Sequence, residues 1–132
     1  MTDGPADIAL RFLQAFWRGD LDAATALSTP DARFIFARSL PYPRECPLRQ
    51  AHEAIAQSLF AAFDPPGKFS VELRHVPAAD DQVTVEYSAT GKLANGRDYA
   101  NDYVMAFTLR GNRIAEQRAY TDTLHLSRLF GP

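Results

Sequence analysis

The feature that most constrains this chain is its last third. Val83 to Leu124 reads as three antiparallel strands joined by two tight hairpins. Asn95-Gly96 predicts a type I′ turn, in which both central residues take positive φ, and Gly111-Asn112 predicts a type II′ turn with glycine first. Between the turns runs a strand whose odd positions, Tyr99, Asn101, Tyr103, Met105, Phe107 and Leu109, fall on one face. That face is large and mostly aromatic, with a few polar handles, which suits a pocket wall better than a plain core. The meander closes on Tyr120-Thr121-Asp122, so a carboxylate stands where an apolar sheet stops.

A chain of 132 residues is expected to form one domain spanning 1–132, large enough to bury a core without staples. Its formal charge of −2 offers no basic footprint, so nucleic acid is not an expected partner. The single cysteine, Cys46, has no partner within the chain, which fits a reducing compartment. The first residues, Met1-Thr-Asp-Gly-Pro, do not lead from a basic region into an apolar run as a signal peptide does. No apolar stretch approaches the ~20 residues that span a bilayer. A cytoplasmic protein without a membrane partner is the expectation.

The first half reads as helical. Pro5 suits a first helical turn, Ile8, Ala9, Phe12, Leu13, Phe16 and Trp17 recur at helical spacing, and Gly19 stops the helix. Asp20 caps a short helix from Leu21 to Leu27. Ala32 to Ala37 reads as a strand, and Pro41, Pro43 and Pro47 mark a loop too proline-rich for regular structure. A helix from about Gln50 to Phe63 carries an apolar stripe at Ala51, Ile55, Leu59 and Phe63. Phe69, Val71 and Leu73 alternate with Ser70, Glu72 and Arg74 as in a half-buried strand, and Pro77 to Asp81 forms a turn. The tail from His125 to Pro132 either docks as a last turn or frays. Helices first and antiparallel strands last make the fold class α+β.

This order, with Asn-Gly-Arg, Tyr, Phe, Gly-Asn-Arg-Ile and Tyr-x-Asp spaced through the last third, resembles the nuclear transport factor 2-like superfamily, and within it the SnoaL-like branch. The resemblance implies a cone-shaped α+β barrel, three N-terminal helices packed in a curved, mainly antiparallel sheet with an apolar pocket at one end. It also implies a homodimer formed through the outer sheet face. Ketosteroid isomerases of this superfamily place a tyrosine, a general-base aspartate and an oxyanion-hole aspartate where this chain has Phe12, Phe36 and Tyr103. Proton abstraction by that route lacks its base here. Limonene epoxide hydrolases share the terminal aspartate, Asp122, but their arginine and second aspartate correspond to Glu86 and Ser88. SnoaL-type polyketide cyclases are the nearer chemical comparison, with one acid/base aspartate matched by Asp122.

If the last strand is regular, Ile114, Glu116, Arg118, Tyr120, Asp122 and Leu124 share a face, and the two apolar ends mark it as the inner one; a bulge would swap the parity. An Asp122 held in an apolar pocket would have its charged form disfavoured, which suits acid/base work, whereas an Asp122 paired with Arg118 or capping the tail would be structural. The resulting expectation is a small-molecule-binding pocket, working without a cofactor on an apolar, oxygenated substrate. Asp122 and Tyr103 are the catalytic candidates, Asn101 and Tyr120 orient the ligand, and Phe12, Phe16, Phe36, Met105 and Phe107 form the walls. A non-catalytic binding module and a purely structural dimer remain alternatives. His52, His75 and His125 have no metal-ligand spacing, and His125 is kept as a partner for Asp122. Cys46 reads as an incidental thiol, and Arg38, Arg44 and Arg49 are either solvated or face an anionic ligand at the mouth.

Overall fold

The computed structural model describes residues 4–127. The first three residues and the tail beyond Ser127 lie outside the described residues. Helix α1 (Pro5–Trp17) starts on Pro5 and buries Ile8, Ala9, Phe12, Leu13, Ala15 and Phe16 on one face. It ends in a Schellman motif: Gly19, at φ 73, lets its N–H reach Phe16 O at 3.1 Å and that of Asp20 reach Ala15 O at 2.9 Å. Asp20 then caps α2 (Leu21–Ala26), its carboxylate accepting from Ala23 N at 3.0 Å.

Strand β1 (Ser28–Ile35) begins four residues earlier than the Ala32 start expected from hydrophobicity. The proline loop contains a short strand, β2 (Glu45–Pro47), which pairs antiparallel with Arg33 to Ile35 of β1. Proline is tolerated there because β2 forms the sheet edge, where its missing N–H breaks no ladder. Helix α3 (Leu48–Gln57) is shorter than the expected span to Phe63; Ser58 leaves the helix, and a single 3₁₀ turn at Phe60–Ala62 completes the segment. The apolar stripe fits both arrangements, since Leu59, Phe60 and Phe63 stay buried in the tighter turn.

The remaining strands are β3 (Ser70–His75), β4 (Ala78–Ala79), β5 (Gln82–Lys92), β6 (Asp98–Arg110) and β7 (Arg113–Thr121), followed by helix α4 (Thr123–Ser127). The expected turn at Pro77 to Asp81 thus holds a two-residue strand that pairs with β5. The sheet order is β2-β1-β7-β6-β5-β3, and every pairing is antiparallel except the parallel contact of β1 with β7. The curved sheet and the helices packed on its inner face make the cone-shaped α+β fold expected from the sequence.

Both hairpins occur where the sequence puts them, with different turn chemistry. At Gly111-Asn112 both residues have positive φ, 59° and 61°, so this two-residue turn is type I′. At the other hairpin only Gly96 has positive φ, 86°; Gly96 N bonds Leu93 O at 2.9 Å, and Leu93 N bonds Arg97 O at 2.9 Å. That pattern is a type I turn closed by a glycine bulge, and it is stabilised by the Asn95 side chain accepting from Arg97 N at 2.9 Å.

Candidate functional site

All six odd positions from Tyr99 to Leu109 on β6 are buried, as the alternation requires. Three of them, Tyr99, Tyr103 and Met105, line an apolar cavity. The β5 residues Tyr87 and Ala89 join its wall beside them, because β5 pairs with β6 in register, Tyr87 opposite Tyr103 and Ala89 opposite Asn101. The helices contribute Phe16, Trp17, Ile55 and Phe60, and β1 contributes Phe34 with Phe36 just beyond it. The cavity, open on one side, has a volume of about 50 Å³, several times the ~10–15 Å³ that one water needs. As it stands, the cavity suits a small ring, and anything larger must displace side chains.

The last strand does not keep its period. Thr108 on β6 pairs with Glu116, but Leu109 pairs with Ile114, so β7 carries one extra residue at Ala115. The bulge reverses the inside and outside positions that follow. Gln117 and Ala119 therefore point inward, and Thr121 lines the cavity. Glu116 and Arg118 are partly exposed on the outer face, 2.6 Å apart, and Tyr120 is 46% exposed. The expected inner face of Glu116, Arg118, Tyr120 and Asp122 is corrected accordingly.

Asp122 lies past the end of β7 with its side chain exposed, and its carboxylate accepts the His125 backbone N–H at 3.2 Å as the cap of α4. Its backbone oxygen accepts from Asn101 Nδ2 at 3.3 Å. Asn101 is buried, but its amide is spent on the structure: Nδ2 also donates to the Tyr99 hydroxyl at 3.1 Å, and Oδ1 accepts from Asp102 N at 2.9 Å. Phe12 and Phe107 are fully buried and pack edge to face at 5.5 Å in the core behind the cavity, not on its surface. Phe16, Phe36, Met105 and Tyr103 line the cavity.

The polar part of the cavity is tyrosine. The Tyr99 and Tyr103 hydroxyls are hydrogen-bonded to each other, and the Tyr103 ring stacks on Tyr87 at 5.1 Å with planes 9° apart. Burial pushes the hydroxyl pKa of Tyr99 up, that of Tyr103 well up, and that of Tyr87 up as well, so all three are neutral donors at ordinary pH. The Asp122 charge adds to the effect at Tyr99. At the other end Tyr42 stacks on Phe36 at 4.4 Å and shares a hydrogen bond with Ser58 at 2.5 Å. Tyr99 was named from the sequence as part of the aromatic face of β6, whereas Tyr87 and Thr121 were not singled out; the alternation of β5 carried the signal for Tyr87, and Thr121 depends on the bulge. Tyr42, in the proline loop, carried none.

Deeper in the core, His52 Nε2 lies 2.9 Å from Gln117 Oε1 and its ring touches Phe12, Phe16 and Phe34. Desolvation lowers its pKa to about 4, which the Gln117 contact only partly offsets, so it is neutral. Cys46 is buried, and burial pushes its thiol pKa up, which is unlike an activated nucleophile. Arg44 donates to Phe36 O, and Arg49 reaches Asp22 at 3.0 Å and Glu53 at 3.4 Å; Arg38 is exposed. Among the described residues no three His, Cys, Asp or Glu side chains are placed to hold a metal ion. Nor is any described helix long and apolar enough to cross a membrane.

The family model for the SnoaL-like domain matches residues 9–117. The chain belongs to the SnoaL-like domain family. Solved structures agree with this SnoaL-like domain in fold. A putative SnoaL-like polyketide cyclase from Jannaschia sp. CCS1 is 21% identical with a TM-score of 0.78, over 98% of this chain and 96% of that one. TerC, co-crystallized with polyporic acid, is 15% identical with a TM-score of 0.78, over 96% and 98%. An NTF2-like protein from Burkholderia xenovorans LB400 is 25% identical with a TM-score of 0.72, over 96% and 95%. A search of curated proteins finds no match to this chain.

Proposed function

We propose that this SnoaL-like domain binds a largely apolar, oxygenated small molecule in its aromatic cavity, with the Tyr99–Tyr103 pair as the anchor for the ligand's oxygen. One observation carries the reading: two hydrogen-bonded hydroxyls stand in a cavity whose other walls are mainly hydrocarbon. A buried polar pair of this kind fixes orientation, while the apolar walls supply affinity. The pair uses one of its two hydroxyl protons internally. The other is available to Thr121, which lies beside Tyr103, or to a ligand oxygen that replaces it. A neutral tyrosine can also stabilise negative charge developing on a carbonyl oxygen, so the same pair would supply the oxyanion donor of a cofactor-independent reaction. Catalysis would assign Tyr103 the role of donor. Asp122 contributes indirectly: it caps α4 and its charge acts on Tyr99. The co-crystallization of TerC with polyporic acid makes that compound a sensible first probe.

The exposed carboxylate of Asp122 favours a second reading, binding without turnover. The test is a thermal-shift screen of phenols and quinones, followed by Tyr103→Phe. A stabilising ligand whose affinity drops about tenfold in Tyr103→Phe supports the anchor. An unchanged affinity refutes it, and product formation separates enzyme from binder. Pairing of two copies through the outer sheet face, where Arg74, Ser88 and Asp102 form a hydrogen-bonded row, also belongs to this proposal and is read by sedimentation.

A further inference from the structure

One polar pair is buried behind the cavity rather than in it. His52 on α3 and Gln117 on β7 are 2% and 0% exposed, and His52 Nε2 meets Gln117 Oε1 at 2.9 Å. Neither lines the cavity, but both touch side chains that do. The His52 ring packs on Phe16 with centroids 4.5 Å apart and on Phe34 at 6.0 Å, while Gln117 Nε2 donates to Met105 Sδ at 3.5 Å. Methionine, unbranched and with three rotatable bonds, adapts to whatever space it is given, and packing alone fixes it poorly. Hydrocarbon of the same shape would replace such a pair at little or no loss of stability, so the pair's distinctive contribution is geometry: a buried hydrogen-bonded network holds its members in one arrangement.

We propose that Gln117, held by His52, is a positioning residue: it pins the Met105 sulfur and thereby limits the size of ring that the aromatic cavity accepts. The inference rests on the binding function proposed above and narrows its ligands to single rings. Met105 stands two residues from Tyr103 on the same face of β6, so its thioether borders the space next to the Tyr99–Tyr103 pair. With the sulfur pinned, the cavity keeps its volume of about 50 Å³. A released thioether swings aside, and a fused two-ring ligand gains the space it leaves.

The test uses p-cresol as the single ring and 2-naphthol as the fused pair, each with one hydroxyl for the tyrosines, and nuclear magnetic resonance titration of the full chain gives both affinities. Met1 and Met105 are the only methionines, so isotope-labelled methionine methyls give two signals. The order parameter of the Met105 methyl axis, read without ligand, measures how firmly the side chain is held. The expected result is a rigid Met105 methyl in the unsubstituted chain, a mobile one in Gln117→Leu, and an affinity ratio that moves about tenfold toward 2-naphthol in that variant. Norleucine in place of both methionines keeps the side-chain shape, removes the sulfur acceptor and is expected to move the ratio the same way, whether or not Gln117→Leu folds. A mobile Met105 methyl in the unsubstituted chain, or a ratio that norleucine leaves unmoved, overturns the role of Gln117 while leaving the binding function standing. Binding of neither probe by any of these chains overturns the binding function, and the selection with it.

Discussion

His52 Nε2 and Gln117 Oε1 lie 2.9 Å apart and tie helix α3 to strand β7 through the middle of the core. Gln117 Nε2 points to Met105 Sδ at 3.5 Å, which leaves its oxygen toward His52 and makes the imidazole the donor. The pKa of His52 is about 4 in the folded chain, against an ordinary value near 6.5 in the unfolded one. Between these values the unfolded state holds more protons, so stability rises with pH. The group's contribution is complete above about pH 6.5, falls as pH drops toward 4, and amounts to roughly 3 kcal/mol across that window. Urea unfolding at pH 4, 5, 6 and 7 should show this slope, and His52→Leu should flatten it at the cost of lower stability at neutral pH.

Gly91→Ala should destabilise the fold by about 1–3 kcal/mol, the usual range for overpacking. A Cβ at Gly91 would sit 2.7 Å from two ring carbons of Phe63 and 3.2 Å from Phe69 Cβ. Phe63 lines the cavity and stands edge to face with Tyr99 at 5.5 Å, so the displaced ring should also weaken binding of any cavity ligand. Thermal unfolding and ligand titration measure the two effects separately.

Tyr103→Phe should cost about 1 kcal/mol of stability, a typical loss for one hydrogen bond. The Tyr99 hydroxyl keeps its contact with Asn101 and is not orphaned. Tyr99→Phe should cost more, because it removes the partner of both Tyr103 and Asn101. Chemical denaturation of the two variants side by side checks the order.

Asp122→Asn should leave stability nearly unchanged, because asparagine caps a helix about as well as aspartate, while Asp122→Ala should cost about 0.5–1 kcal/mol. The comparison isolates the cap from the charge. A substrate turned over at full rate by Asp122→Asn would place Asp122 outside the chemistry.

The alternation of β6 was legible because every odd position is large and buried, and a strand has no other way to hide six such residues. The end of α1 was equally plain, since Gly19 supplies the positive φ that its closing motif requires. The turn types were not legible: glycine serves either turn, and the loop lengths that choose between them follow from the strand register. The break in α3 after Gln57 was hidden because Leu59, Phe60 and Phe63 are buried by a 3₁₀ turn as well as by a helix. The Tyr99–Tyr103 pair was half visible, with Tyr103 named and Tyr99 present only as part of the aromatic face. Asp122 was misplaced because a bulge leaves no mark in composition.

That single additional residue at Ala115 sets the polarity of everything downstream of it. Deleting Ala115 would restore a regular ladder and leave both sides of β7 as they are, because the outward Glu116 and the inward Gln117 would then follow Ile114 directly. A β7 that kept Ala115 but paired it in the ladder would instead turn Glu116 and Arg118 inward and Gln117 and Thr121 to solvent, and His52 would lose its acceptor. Whether an acid or a hydroxyl looks into this cavity is therefore decided by pairing register rather than by composition, through one alanine left out of the ladder.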